Sequence, residues 1–213
     1  MKNITITMAV IFILTIGLGG ILLPVQPVLA QEPAKVSSGE LSEDEIEALI
    51  LMREEEKLAR DVYKVLYETW GAQIFLNIQA SEQTHFDQIG VLLERYDLQD
   101  PALDYGVFAD HHLQELYDLL ISIGTTSLAD AYWVGATIED YDIYDLIHCL
   151  AVTDNQDIRQ VFTNLMEGSY NHLRGYVYCL STLGMEYTPQ YITVELFNEI
   201  LAGETGGAGS SKH

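Results

Sequence analysis

The chain has 213 residues, with 32 Asp and Glu against 10 Lys and Arg, for a formal charge of −22. Nothing in it forms a basic stripe able to neutralise phosphates, so nucleic acid is excluded as a partner. The length points to one folded domain with extensions rather than two, and most of the acids must sit on solvated helix faces, where they attract cations.

Residues 1–23 open with Lys2 and then run uncharged through Ile4, Ile6, Val10 and Ile13 to Leu23. Pro24, Pro27 and Val28-Leu29-Ala30 follow, which fits a signal peptide over 1–30 cleaved before Gln31. The expected location is therefore exported, in the cell envelope or outside the cell. An uncleaved anchor is the alternative, and it would be the only contact with a membrane. Residues 31–42 read as a disordered linker and 203–213 as a disordered tail, leaving 43–202 as the folded domain.

Ser42 followed by Glu45 has the spacing of a capping box and opens a helix over 43–70. At about 100° per residue, Ala48, Leu51, Met52, Leu58, Ala59, Val62 and Leu66 share one face. Glu55 falls near its centre, whereas Glu54 and Glu56 fall about 100° to either side, at the polar border. Glu55 is thus expected to point inward and to need a partner, because a buried unpaired carboxylate costs several kcal/mol.

Gly71 ends that helix, and a second follows at once over 72–96, antiparallel to the first. Glu82 and His85, one turn apart, lie on its apolar face with Phe75, Ile78, Phe86, Ile89 and Leu93. A stretch with Pro101 and Gly106, then a short amphipathic helix from His111 to Ile123, makes a long connection. His111 and His112 are expected on the surface.

Ser127 caps the third core helix, which runs to Val152 and carries Glu139 in its apolar stripe, with Asp142 three residues on. The fourth runs from Gln156 to Leu183 and places His172 on a face with Ile158, Leu165 and Tyr176; Ser169 stands one turn before it. A short helix over 193–201 closes the domain. Cys149 lies near the turn between these helices and Cys179 about 24 residues past it, roughly 30 Å away along the bundle, so no disulfide joins them.

Counted from the connecting turns, Glu55, Glu82 with His85, Glu139 with Asp142, and His172 reach one level of the bundle. Buried carboxylates and imidazoles converging at one height are the ingredients of a dimetal site. Oxygen and nitrogen donors without thiolates favour iron, two ions of it, or manganese, with zinc compatible on affinity alone. Tyr132 and Tyr176 share the same stripes and are candidates to hydrogen-bond the ligands.

The order Glu55, Glu82-x-x-His85, Glu139, His172 on four helices resembles the ferritin-like superfamily, as in bacterioferritins and rubrerythrins. Four segments sharpen the likeness: Met52 to Tyr63, Ser81 to His85, Gly135 to Asp140, and Asn171 to Arg174 resemble the domain-of-unknown-function family numbered 2202. The resemblance implies an all-α, ferritin-like up-down four-helix bundle with a dimetal centre. One departure stands out, because Ser169 occupies the place of the glutamate in the superfamily's second Glu-x-x-His; Asp142 could restore the missing carboxylate. The leading functional expectation is metal-dependent redox chemistry with oxygen or peroxide, such as ferrous oxidation. Non-catalytic metal binding and a purely structural envelope bundle are the alternatives, and oligomerisation stays open.

Overall fold

Ser42 is in extended backbone, and its hydroxyl accepts the Glu45 N–H at 3.2 Å while the Glu45 carboxylate accepts the Ser42 N–H at 2.9 Å. This capping box starts α1, Glu43–Trp70, in a computed structural model that describes residues 41–203. Residues 1–30, read from the sequence as a signal peptide, and nearly all of 31–42 and 203–213, read as linker and tail, lie outside the described residues. Gly71, in the left-handed region at φ 64°, stops α1, and α2 follows as Gln73–Arg95. Asp110 caps α3, His111–Gly124, and Ser127 caps α4, Leu128–Val152. Helix α5 is Gln156–Thr182, and Thr193 caps α6, Val194–Ala202. The described residues contain no strand.

The short turns make α1–α2 and α4–α5 antiparallel hairpins. Glu45 Oε1 accepts the backbone N–H groups of Asp154 and Asn155, both at 3.0 Å, which sets the start of α1 beside the α4–α5 turn. At the same end Arg95 and Tyr96, closing α2, bond Asp157 at 2.7 and 2.8 Å. Helices α2 and α4 therefore run the same way, and the connection 96–127, carrying α3, returns along the length of the bundle. The architecture is a four-helix bundle with a long connection between its second and third core helices and a short C-terminal helix.

Buried ionic groups hold that connection. Lys57, fully buried, donates to Asp61 and to the Val107 carbonyl, each at 2.9 Å, and lies over the Phe108 ring. Asp61 also accepts from Arg60 and from Gly106 N–H. Arg53 pairs with Asp100 at 2.6 Å, stacks on Phe86 and donates to the Phe86 carbonyl. Asp140 plays the same part for the chain beyond α5: it accepts from Tyr187 OH at 2.8 Å and from the N–H groups of Gln190, Tyr191 and Ile192.

The apolar core falls into two clusters. One, near the Gly71 turn, gathers Val62, Leu66, Phe75, Tyr176 and Leu180; the other, near the α4–α5 turn, gathers Leu49, Met52, Ile89, Leu92, Phe162 and Leu165. The inward carboxylates and histidines lie between them. Cys149 and Cys179 are both free thiols, and His111 and His112 are exposed. Among the described residues no helix is long and apolar enough to cross a membrane.

Candidate metal centre

Glu56, Glu82, His85, Glu139 and His172, all at least nine-tenths buried, form two triads in the layer between the core clusters. Glu56, Glu82 and His85 make one triad and Glu82, Glu139 and His172 the other, each with its donor atoms within 4.8 Å of one another. Glu82 belongs to both. Its Oε2 lies 2.8 Å from His85 Nδ1, which is 3.3 Å from Glu56 Oε2. Its Oε1 lies 2.8 Å from His172 Nδ1, which is 3.3 Å from Glu139 Oε2. The two halves thus repeat one arrangement about a shared carboxylate, with the imidazole rings stacked at 5.8 Å.

His85 Nδ1 and Glu82 Oε2 are hydrogen-bonded at 2.8 Å, but other polar atoms of the layer are left unpaired. Glu82 Oε1 and His172 Nδ1 are close but off hydrogen-bond angle, and both, like Glu56 Oε1, have no hydrogen-bond partner. Leaving such atoms unpaired costs about 1–3 kcal/mol each, and more when charged. Among the described residues no Lys or Arg pairs with the cluster, since Arg53, Lys57 and Arg60 are engaged with Asp100 and Asp61. Burial, then Asp142 and Glu82, drives the Glu56 carboxyl well above its usual range. Burial would raise Glu82 too, but His172 and His85 outweigh it and hold that carboxyl far below the usual range. Surplus buried negative charge with orphaned oxygens is the donor set a hard divalent cation fits.

Local sequence shapes the layer. Gly168 lets α5 approach His85, because a Cβ there would lie 2.5 Å from the ring Cε1. Gly135 does the same for Tyr176, whose ring would meet a Cβ at 2.5 Å. Tyr63, fully buried, donates to Glu139 Oε1 at 2.5 Å and packs on Tyr176 at 5.4 Å. Tyr176 lies close to Glu139 and Glu82, and its hydroxyl has no hydrogen-bond partner. Tyr132 instead stacks on Phe75 at 5.5 Å, one aromatic layer away.

The phase read from the sequence for α1 is corrected by one residue. Glu56, expected at the polar border, is 2% exposed and stands in the triad, whereas Glu55 faces Asp145 and Asp142. The stripe centred on Glu55 is apolar because α3 covers it: Leu58 and Ala59 share a crevice with Leu113, Leu116 and Leu120. The interior stripe is the one of Leu49, Met52, Glu56 and Tyr63. Glu54, also expected at the border, is 3% exposed beneath the connection. Asp142 lies outside both triads, at their edge, where its Oδ2 accepts from Ser169 Oγ at 2.5 Å. The sequence placed Gly168 on the His172 face without a role against His85, and it gave none to Tyr63, although Tyr63 follows Glu56 by two turns on one face.

A helical bundle with a carboxylate–histidine layer at mid-height is the class that this fold and site define. The chain belongs to the family described as the uncharacterized protein domain DUF2202, whose profile matches residues 45–204. It is 52% identical over 167 residues to the uncharacterized protein MJ0754 of Methanocaldococcus jannaschii, a match spanning 78% of this chain and 90% of that protein. The crystal structure of hypothetical protein MJ0754 is similar, with a TM-score of 0.76 and 50% identity, covering 79% of this chain and 98% of the other.

Proposed function

We propose that this is an exported, ferritin-like protein that holds two divalent ions, iron or manganese, and uses them in redox chemistry such as ferrous oxidation or peroxide consumption. The observation that carries the reading is the sharing of Glu82, with one oxygen facing each triad. Glu82, Glu56 and His85 would hold one ion, and Glu82, Glu139 and His172 the other. Bound there, the metal would supply a one-electron couple inside a layer from which bulk water is excluded. The chain's own part is positioning: Tyr63 fixes the Glu139 oxygen, and the missing Cβ of Gly168 admits the His85 ring. Export rests on the hydrophobic run and Val28-Leu29-Ala30 of the sequence.

Metal analysis of purified protein tests the site. Two ions per chain in the wild type and a loss of both in Glu82→Gln are expected; metal-free wild type after reconstitution with ferrous or manganous salt ends the reading. Stopped-flow mixing of the ferrous form with oxygen or peroxide then tests turnover. A specific observation favours a second reading: Ser169 in place of a carboxylate leaves one donor fewer, which suits a module that holds cations without turning over. Slow oxidation, no faster than free ferrous ion, would select it. Amino-terminal sequencing of protein from its native host should begin at Gln31.

A further inference from the structure

The stripe of α1 that faces α3 meets it across a crevice of about 30 Å³ between α1, α3 and α4. Its walls are hydrocarbon: Leu58 and Ala59 from α1, Leu113, Leu116 and Leu120 from α3, and Ile138 from α4. The polar side chains around it are engaged elsewhere. Thr137 donates to the Trp133 carbonyl at 2.9 Å, and Asp142 accepts from Ser169 at 2.5 Å. Glu55 and Asp145 are hydrogen-bonded to each other through a proton that burial retains, with Tyr141 on Asp145 as well. A buried water needs two to four polar partners, and a lining without free ones stays dry. The space takes roughly two water-sized bodies, and so one diatomic molecule. Asp142 borders the crevice and lies close to Glu56, Glu82 and Glu139, so a guest beside it adjoins the carboxylate–histidine layer.

We propose that this crevice is a binding site for dioxygen, which it holds at the Asp142 edge of the layer, and that it discriminates against peroxide. Dioxygen has no hydrogen-bond donor and loses little on passing from water into hydrocarbon. Hydrogen peroxide would bury two O–H groups without partners, a costly transfer. The binding site stands on the crevice alone. Its use in turnover rests on the redox reading above, and of the two oxidants named there it selects dioxygen.

Methyl magnetic resonance of the metal-free full chain under dioxygen pressure tests the site. Paramagnetic dioxygen in the crevice should relax the Ala59, Leu113 and Ile138 methyls several-fold more than those of Ala48 and Ile78, which are comparably buried but lie away from it. Ala59→Leu fills the space, and the excess at Leu113 and Ile138 should vanish. If that overpacked variant fails to fold, Leu116→Phe, from a half-buried position on α3, carries the same expectation. With ferrous ion bound, the filled variant should keep its metal content, react several-fold more slowly with dioxygen, and react with hydrogen peroxide at the wild-type rate. Equal relaxation of all five methyls overturns the site, whatever metal analysis shows. An excess in a wild type that binds no metal keeps the site and overturns the redox reading instead. An unchanged dioxygen rate in a variant that has lost the excess, or equal slowing with both oxidants, overturns the part of the crevice in turnover.

Discussion

Two residues set the geometry of the layer without being its donors. Gly168→Ala places a methyl group 2.5 Å from His85 Cε1, closer than any stable contact, so the ring must turn from its donor position. Helix propensity pulls the other way, since alanine in a helix interior is worth up to about 1 kcal/mol over glycine. The expected variant is therefore no less helical than the wild type but binds metal at least tenfold more weakly, which calorimetric titration checks. Unaltered affinity would mean that the His85 ring does not serve as a donor. Tyr63→Phe keeps the packing on Tyr176 and removes the hydroxyl that bonds Glu139 Oε1 and, at a longer 3.3 Å, the Gly135 carbonyl. A hydrogen bond to a charged group contributes about 1.5–3 kcal/mol. A drop of that size in metal-free stability, read from denaturant midpoints, is expected.

At the scale of the elements, the chain beyond α5 depends on one carboxylate. Asp140, fully buried, satisfies Tyr187 and three backbone N–H groups between residues 190 and 192. Asp140→Ala would orphan all of them, a loss of about 3–5 kcal/mol by analogy with broken buried networks. Faster amide exchange across residues 187–202, with α1 and α2 unaffected, should accompany it. The ends of the six helices were legible in the sequence because their signals are local: Ser42 with Glu45, Gly71, Ser127 and Thr193 act within one turn. The phase of α1 was not. Its two apolar stripes lie 100° apart, and only the return of α3 over Leu58 decides which one faces the interior. Asp140 shows the same limit, since its partners are some 50 residues away in a segment without periodicity.

For the molecule as a whole, the polar layer makes stability depend on pH with a sign opposite to that of ordinary acid denaturation. Burial, followed by Glu139, pushes the Asp142 carboxyl up to about 8, while an unfolded aspartate titrates near 4. Between those values the folded metal-free chain holds the extra proton, so its stability falls as pH rises, by at most about 1.4 kcal/mol per unit for each such group. Glu56 and Glu55 are shifted in the same direction. Metal-free protein should thus melt at a higher temperature at pH 5 than at pH 8. Divalent ions compete with those protons and bind better as pH rises, so loading should raise the pH 8 melting point most. A metal-free melting point that climbs steadily from pH 5 to 8 would contradict the layer described.

The contact of Glu45 with the α4–α5 turn joins residues 109 and 110 positions apart, against neighbours within each hairpin that meet across two or three residues. Closing so long a span carries more entropy loss than forming either hairpin, so this contact belongs late on the folding route. Glu45→Gln retains the residue type a capping box accepts while removing the charge that the Asp154 and Asn155 N–H groups address. Its effect should fall on the speed of unfolding, about tenfold for each ~1.4 kcal/mol lost, with the refolding rate nearly unchanged. Stopped-flow measurements over a range of denaturant would separate the two limbs, and a slowed refolding limb would place the contact in the folding nucleus instead. The half-life of the native state, more than the ease of reaching it, is what this one carboxylate governs.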